Sequence, residues 1–353
     1  MIFLSRALIY RLCLNAVLIN NVYLFLLLYT YQKHISMKNI KSIPIIAIII
    51  LSLSISFFIY YYYSLQKPLP VININNKAIK TDKFGVKEIY RSKPGGEEWY
   101  INMNDPNHDP RTDPQTTLIR NDNDYGIDSW KIQNTEVRYN VFTSSGYQPQ
   151  LITTLNQTEL SKKGYMQLPN DWKNVEITGY FKINSFTNSE KNGAAHIELV
   201  ARGGKNTNEN TLINGLSKQC ESTTYHSNTY ETGRVKFEKD LMHTQGYTTE
   251  DKQKPNAIKE PLVGRWIGIK AVFYNLDNNT AVKLEQYIDD KSDNNWHRVL
   301  SFVDNGHWGG GNPNCGGSDN QIITWGGPIA IFRWDNIDDM DIKNFSIREI
   351  MPN

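Results

Sequence analysis

The segment Ala195–Arg202 alternates apolar side chains with groups that donate, accept or exchange protons. Its odd positions are apolar, whereas three of its even positions carry His196, Glu198 and Arg202. Because a β-strand directs successive side chains to opposite faces, we expect a strand with one face in a core and an acid, a base and a cation on the other. Such a face suits recognition of a polar ligand, although it names no reaction.

Four further segments show the same alternation: Val175–Ile183, Gly233–Lys239, Trp266–Tyr274 and Ala281–Asp289. If these strands share a sheet, their polar faces join into one surface. Aromatic rings offer flat faces to sugar C–H groups, and Arg pairs with carboxylates through two parallel hydrogen bonds. The alternative is a solvated sheet with cross-strand ion pairs. The candidate ligand-binding residues of this surface are Tyr180, Lys182, Glu198, Arg202, Arg234, Lys236, Glu238, Lys270, Tyr274, Glu285 and Tyr287.

Two loops add further candidates. The Gly-rich segment His307–Gly311 contains Trp308, which is either a sugar platform at the rim of the surface or a lid packed on the core. The segment lacks the Gly-Lys-Ser/Thr ending of a phosphate loop, so nucleotide binding is not expected. Asp335, Asp338 and Asp339 cluster before the last predicted strand, where an oxygen-rich loop can hold Ca²⁺. Calcium is therefore the candidate metal, a solvated acidic loop without an ion is the alternative, and no cofactor is required.

Composition narrows the class of partner. The chain has 353 residues, of which 40% are hydrophobic and 21% charged, with a formal net charge of +2. This balance argues against a nucleic-acid partner, which usually requires a basic excess. Abundant Tyr, Trp and Asn are typical of a β-rich, extracellular, sugar-handling protein. Cys220 and Cys315 are a candidate disulfide in an oxidising compartment, and two free thiols are the alternative.

The N-terminal region predicts a membrane anchor. Ile43–Tyr63 contains no charged residue and is long enough to cross a bilayer as a helix. Lys38 and Lys41 precede it, which places that side in the cytoplasm by the positive-inside bias. We therefore expect residues 37–64 to be a single-pass signal anchor, with the C-terminal domain outside the cell; a buried core helix is the alternative. If translation begins at Met37, residues 1–36 are not part of the protein. If it begins at Met1, they are expected to form an additional membrane helix.

The remainder of the chain divides into a stalk and one domain. Residues 65–93 show little periodicity and are expected to form the stalk. Residues 94–353 contain short alternating runs separated by Gly, Asn, Asp and Pro, which predict an all-β, two-sheet antiparallel sandwich. The predicted strands are Thr135–Phe142, Val175–Ile183, Ala195–Arg202, Gly233–Lys239, Trp266–Tyr274, Ala281–Asp289, Ile329–Trp334 and Ile342–Ile350.

These short strands, the aromatic and charged sheet face and the terminal strand Ile342–Arg348 resemble concanavalin A-like (laminin-G-like) jelly rolls. That superfamily includes lectin-type binding domains, glucanases and alginate-lyase-like polysaccharide lyases. The resemblance implies a jelly roll from roughly Gly95 onward and a polysaccharide partner. A retaining glucanase needs two closely spaced carboxyl groups, and His196-x-Glu198 supplies one, which disfavours a glycosidase.

A lyase is the alternative to simple binding. It removes a proton beside a uronate carboxylate with a base such as His or Tyr and protonates the leaving oxygen with Tyr. The candidate catalytic residues for this chemistry are His196, Tyr225, His226 and Tyr230. The segment Tyr225–Glu231 is also explained as a structural turn. Carbohydrate binding is the preferred interpretation, and a structural cell-envelope or adhesion domain is a third.

Overall fold

A computed structural model describes residues 80–114, 116–121, 128–146, 168–187, 194–203, 221–243, 252–309 and 320–352. The predicted anchor, the hydrophobic extension before it and the first part of the stalk lie outside these residues, as do Cys220 and Cys315. Within the described part of the chain, no helix combines the length and apolar character needed to span a bilayer.

Alternating apolar and polar side chains place most of the described residues in β-strands. The 3₁₀ turns are Pro106–His108 and Asp277–Asn279. The strands are Glu98–Tyr100 (β1), Thr112–Asp113 (β2), Ile119–Arg120 (β3), Trp130–Ile132 (β4), Glu136–Phe142 (β5), Val175–Phe186 (β6), His196–Gly203 (β7), Glu221–Tyr230 (β8), Val235–His243 (β9), Lys252–Lys254 (β10), Trp266–Leu276 (β11), Ala281–Asp289 (β12), His297–Asp304 (β13), Ile329–Asp335 (β14) and Ile337–Glu349 (β15).

The strands form two antiparallel sheets. The eight-stranded sheet has the order β13-β12-β11-β6-β15-β4-β3, with β1 paired to β15. The seven-stranded sheet has the order β10-β9-β8-β7-β14-β5-β2. Strands that are distant in sequence, such as β6 and β15, are neighbours in space. All eight predicted strands are present, so the prediction of an all-β, two-sheet antiparallel sandwich is confirmed.

The core lies between the inner faces of the two sheets. Apolar residues at alternate positions of both sheets form one cluster there. Phe332 from the seven-stranded sheet stacks on Phe345 from the eight-stranded sheet, with ring centroids 4.1 Å apart. Each large apolar side chain buried in this way contributes about 1.5–3 kcal/mol relative to exposure. The outer faces are therefore the surfaces on which polar strand residues are presented.

Residues 80–93 pack on the outer face of the eight-stranded sheet. Val86 is buried there in an apolar cluster. The buried carboxylate of Glu176 accepts hydrogen bonds from the backbone N–H groups of Ile89 and Tyr90, each at 3.1 Å. These residues lie in the predicted stalk, and their contacts make them part of the folded domain. We call residues 80–93 the strap.

Strand β8 occupies the segment that was expected to be a turn. Its inward positions include Ser227 and Thr229, both buried. Gln286 reaches across the sandwich and donates a hydrogen bond to Thr229 at 2.8 Å. Polar residues on both faces hide the apolar alternation from which a strand is recognised. The prediction of a turn at Tyr225–Glu231 is therefore corrected to a strand that ends at Tyr230.

Candidate functional site

The alternating polar strands do not form one surface. Strands β6, β11 and β12 belong to the eight-stranded sheet, whereas β7 and β9 belong to the seven-stranded sheet. In both sheets the apolar positions of these strands face the shared core. Their polar positions consequently point to opposite sides of the sandwich. The expected single binding surface is wrong, and the candidates separate into two groups.

The first group lies on the outer face of the eight-stranded sheet and is engaged in internal contacts. Lys270 is buried, with its Nζ 2.8 Å from Glu176. Tyr90 of the strap donates a hydrogen bond to Glu285 at 2.7 Å. The strap and these pairs cover much of this face, so it is a poor candidate for ligand binding. The predicted residues placed here are Tyr180, Lys182, Lys270, Tyr274, Glu285 and Tyr287.

Three further candidates lie inside the sandwich. A register shift between Ile329 and Ile331 and a φ of 69° at Arg202 interrupt the alternation of β7. The Arg202 guanidinium is fully buried, 5.8 Å from the centroid of the Tyr225 ring. Trp308 has an exposed fraction of 0% and stacks on Tyr225 with centroids 6.2 Å apart. These placements correct the prediction that Arg202 and Trp308 bind ligand and that Tyr225 contacts substrate.

The remaining ligand-binding and catalytic candidates lie on the outer face of the seven-stranded sheet, and His196, Tyr230 and Arg234 gather at one end of it. Strands β5 and β7 begin there and β8 and β14 end there, because neighbouring strands are antiparallel. A cleft of about 650 Å³ opens at this position. We call it the His196 cleft. Its lining includes Glu136, His196, Tyr230, Arg234, Arg333 and Asp335.

A stack of rings and a cation forms one wall of the cleft. His196 and Tyr230 are cross-strand partners, and their rings stack with centroids 5.0 Å apart. The guanidinium carbon of Arg234 lies over Tyr230, 3.8 Å from its ring centroid. Arg234 also donates a hydrogen bond to the side-chain oxygen of Gln253 at 3.0 Å. These contacts hold a half-buried arginine at the cleft.

Carboxylates and imidazoles alternate behind that wall, across β14, β7, β8 and β9. His196 Nε2 lies 2.7 Å from Glu198 Oε1 and 3.6 Å from Asp335 Oδ2. The second oxygen of Glu198 lies 3.0 Å from His226 Nδ1. His226 Nε2 in turn lies 3.2 Å from Asp240. Glu198 and His226 are 1% and 3% exposed, so neither forms part of an open surface.

The charges of this network compensate one another. Burial on its own would lower the pKa of His226, but Asp240 and Glu198 raise it to about 10. Burial on its own would also lower the pKa of His196, but the hydrogen bond to Glu198 and the charge of that carboxylate raise it. Burial would raise the pKa of Glu198, but Arg333 and the two imidazoles hold it well below its ordinary value. The buried carboxylate is therefore charged and paired at neutral pH.

Lys236 and Glu238, the other candidates on β9, pair with each other. Their side chains are 12% and 5% exposed. They lie on the same outer face as the His196 cleft but do not line it. They are therefore a paired part of the sheet surface beside the cleft.

The three aspartates proposed for calcium do not converge. Asp335 faces the His196 cleft. Asp338 accepts a hydrogen bond from Thr187 at 2.8 Å, and Asp339 lies 2.7 Å from Lys131 Nζ. The three side chains do not meet because Asp335 ends strand β14, whereas Asp338 and Asp339 lie in strand β15 and not in a loop. Asp335 therefore belongs to a different cluster from Asp338 and Asp339.

Sequence reasoning missed Arg333 and Asp240. Arg333 donates hydrogen bonds to both oxygens of Asp335, at 3.2 and 2.6 Å. The available signal was a single charged residue in the apolar strand Ile329–Trp334, which the alternation rule places on the outer face. Asp240 follows the predicted end of β9 and gave no comparable signal.

Comparisons with known proteins find distant structural likeness and no sequence relative. No protein-family model and no curated protein matches the sequence. Among solved structures, a winged bean acidic lectin bound to methyl-α-D-galactose has 5% identity and a TM-score of 0.36, with 72% of this chain and 99% of the lectin covered. A Bacillus subtilis protein of unknown function with a galectin-like fold has 9% identity and a TM-score of 0.40. That match covers 75% of this chain and 100% of the Bacillus subtilis protein. At these identities the similarity concerns the fold alone.

Proposed function

We propose that this domain binds an acidic polysaccharide in the His196 cleft, with Arg234 receiving a carboxylate of the chain. The contacts of the Arg234 side chain are the main support for this proposal. Among the described residues its side-chain hydrogen-bond partner is the neutral amide of Gln253, and no carboxylate pairs with it. A guanidinium has five N–H donors and matches a carboxylate with two parallel hydrogen bonds. Arg234 therefore supplies both charge and directed donors for a uronate.

The rest of the cleft suits the hydroxyl groups of such a chain. Glu136 has a side chain that is 61% exposed, and Asp335 also lines the cleft, so carboxylate acceptors are present. Sugar hydroxyls both donate and accept hydrogen bonds, as these groups require. The cleft volume of about 650 Å³ lies within the range of small-ligand sites, about 300–1,000 Å³. A short stretch of a polysaccharide chain is thus a suitable occupant.

The geometry favours binding over lyase chemistry. His196 Nδ1 lies 2.8 Å from the carbonyl oxygen of Ala194, and its Nε2 lies 2.7 Å from Glu198. Both ring nitrogens therefore already face acceptors, which does not suit a general base. Tyr225 and His226 are buried and lie away from the cleft lining. Burial, followed by the charge of Glu238, raises the pKa of Tyr230, which disfavours its phenolate as a base.

Retention of the full chain on immobilised polygalacturonate tests the proposal. We expect wild type to be retained and to bind the methyl-esterified polymer less tightly, since esterification removes the carboxylate. Arg234→Gln should weaken binding about 10-fold or more, the usual contribution of a hydrogen bond to a charged group. Arg120→Gln is the matched control. Arg120 lies on β3 of the eight-stranded sheet, is 51% exposed and is paired with Asp128.

Three results would overturn this proposal. Release of products with ultraviolet absorbance from unsaturated ends would show a lyase. Equal retention of the Arg234→Gln and wild-type proteins would show that the cleft is not the site. Lack of retention on acidic and neutral glycans alike would favour a structural envelope or adhesion domain.

We also propose that residues 37–64 anchor the domain in a membrane, with the sandwich outside the cell. The support is the uncharged segment Ile43–Tyr63 and the lysines before it. Alkaline carbonate extraction of isolated membranes tests the anchor, and protease added to separate, intact cells tests the topology. An anchored outward domain stays with the membrane and is cleaved from outside, and release by carbonate would contradict the anchor. The pairing of Cys220 with Cys315 stays a prediction.

A further inference from the structure

Three ligand-type atoms from two neighbouring strands converge beside the His196 cleft. His196 and Glu198 come from β7, and Asp335 from β14 is the cross-strand partner of His196. A nitrogen of His196 and one oxygen from each of the two carboxylates all lie within 4.8 Å of one another. Tetrahedral ligand atoms with bonds of about 2.0–2.2 Å to an ion lie about 3.3–3.6 Å apart. The 3.6 Å between His196 Nε2 and Asp335 Oδ2 fits that spacing, and the 2.7 Å between His196 Nε2 and Glu198 Oε1 would have to widen by about 0.6 Å. The cluster is therefore already close to the geometry of a metal site.

The orientation of His196 is fixed by a contact outside this cluster. Its Nδ1 lies 2.8 Å from the backbone carbonyl oxygen of Ala194, which accepts a hydrogen bond from the protonated nitrogen. This leaves Nε2 directed at the two carboxylates. Histidine ligands of metals almost always donate their other N–H to a carbonyl or carboxylate, which fixes the ring and its tautomer. Stacking on Tyr230 holds the ring in the same orientation.

The carboxylates are held in the same manner. Glu198 turns one oxygen to His226 at 3.0 Å, so that the other faces His196. His226 is itself held by Asp240 at 3.2 Å. Arg333 donates to both oxygens of Asp335 and balances part of the negative charge. These supporting contacts are the kind that orient ligands around a bound metal.

We propose that His196 Nε2, Glu198 and Asp335 bind a divalent transition-metal ion such as Zn²⁺. One imidazole and two carboxylates are a donor set for zinc, whereas calcium prefers oxygen ligands alone. Three protein ligands leave a fourth position, and His196 and Asp335 both line the cleft from which a water or ligand oxygen reaches it. The ion takes the place of the proton that His196 otherwise shares with Glu198.

A second cluster in the described residues competes for the same ion. Glu198, His226 and Glu238 also lie within 4.8 Å of one another. All three are buried, and His226 already directs one nitrogen to Glu198 and the other to Asp240. Glu238 is already paired with Lys236, and none of the three residues lines the His196 cleft. The site that includes His196 is therefore the better one.

Calorimetric titration of the chelator-treated full chain with Zn²⁺, without any glycan, tests the inference. We expect one ion per chain, with affinity at least 100-fold lower in His196→Gln and clearly lower in Asp335→Asn. Glu260→Gln is the matched control, because Glu260 is exposed and lies outside both the ligand set and the cleft lining. His226→Gln should weaken binding by about 10–100-fold, as expected for a residue that positions a ligand. Circular dichroism shows whether each variant is folded.

Several outcomes would overturn the metal site. One is stoichiometric Zn²⁺ binding that His196→Gln and Asp335→Asn leave unchanged, and another is no binding by wild type at micromolar concentration. Loss of binding in His226→Gln with full binding in Asp335→Asn would assign the ion to the buried cluster. If His196→Gln does not fold, the thermal midpoint of wild type with and without Zn²⁺ replaces it, since a ligand of the native state must raise that midpoint. The titration contains no glycan, so its failure leaves polysaccharide binding untouched.

Discussion

The guanidinium of Arg234 lies over the ring of Tyr230, 3.8 Å from its centroid. Tyr230 is in turn stacked on His196, its cross-strand partner. Arg234 lies in the turn between β8 and β9, and this contact holds it against the last residue of β8. This arrangement places a cation without a carboxylate partner among the described residues at the His196 cleft. It is the basis for expecting an acidic ligand there.

Removing the ring of Tyr230 should release Arg234. Tyr230→Leu is expected to weaken polygalacturonate binding by about 2-fold to 30-fold, because a cation–π contact contributes about 0.5–2 kcal/mol. Tyr230→Phe keeps the ring and should bind nearly as wild type. Tyr274→Leu on the other sheet is the matched control. Equal losses in Tyr230→Phe and Tyr230→Leu would assign the effect to the hydroxyl and not to the stack.

Glu176 should make the domain sensitive to acid. Burial on its own would raise its pKa, but Lys270 and Arg348 hold it below the ordinary value of 4.5. A lowered folded-state pKa stabilises the fold above the ordinary value, and that contribution is lost as pH falls through the folded pKa. Urea unfolding should show a free energy of unfolding that decreases below about pH 4.5.

Substituting Glu176 tests the assignment of that acid sensitivity. Glu176→Gln should lower the free energy of unfolding at pH 7 by about 3–5 kcal/mol, because buried Lys270 loses its carboxylate partner and buried Arg348 keeps only Glu88. It should also flatten the decrease at acid pH. Glu260→Gln is the control, since Glu260 is exposed. An unchanged acid slope in Glu176→Gln would show that other carboxylates cause the sensitivity.

Trp308 should act on stability and not on ligand binding. It is fully buried, packed on Tyr225 and against the edge of Phe302 at 5.0 Å. Trp308→Ala should reduce the free energy of unfolding by about 3–5 kcal/mol. At a temperature where the variant is folded, its affinity for polygalacturonate should equal that of wild type. A loss of affinity without a loss of stability would restore Trp308 as a ligand residue.

The strap should be required for full stability. A fragment of residues 80–353 retains Val86 in its apolar cluster. It also retains the backbone N–H groups of Ile89 and Tyr90 that donate hydrogen bonds to Glu176. A fragment of residues 94–353 loses both. We expect the shorter fragment to be less stable by about 3 kcal/mol or more, from lost burial and an exposed ion pair. Equal midpoints in urea would show that residues 80–93 are a stalk, as the sequence suggested.

Alternation along single strands predicted the fold well. In Ala281–Asp289 the predicted apolar set Val282, Leu284 and Ile288 does face the core, and the bounds agree with the structure. The period of two identifies the face of a strand, but it does not identify the sheet to which the strand belongs. The two polar faces were therefore joined in the prediction, although β7 and β11 lie in different sheets.

The errors in the candidate site have local physical causes. Arg202 follows the alternation in sequence, yet a bulge and a positive φ turn it inward. Such irregularities depend on the neighbouring strand and leave no mark in a single segment. His196 and Glu198, by contrast, lie on the outer face as predicted, because β7 is regular at that end. The grouping of His196 with Asp335 needed the pairing of β7 with β14, which connects residues far apart in the chain.

The most direct test is calorimetric titration of the full chain with a defined uronate oligosaccharide and with its carboxyl-reduced neutral counterpart. We predict one saturable site for the acidic oligosaccharide, weaker binding of the neutral one, and about 10-fold or greater loss of acidic-ligand affinity in Arg234→Gln. Equal affinity of Arg234→Gln and wild type for the acidic oligosaccharide, or no saturable binding by wild type, would contradict a polysaccharide site in the His196 cleft.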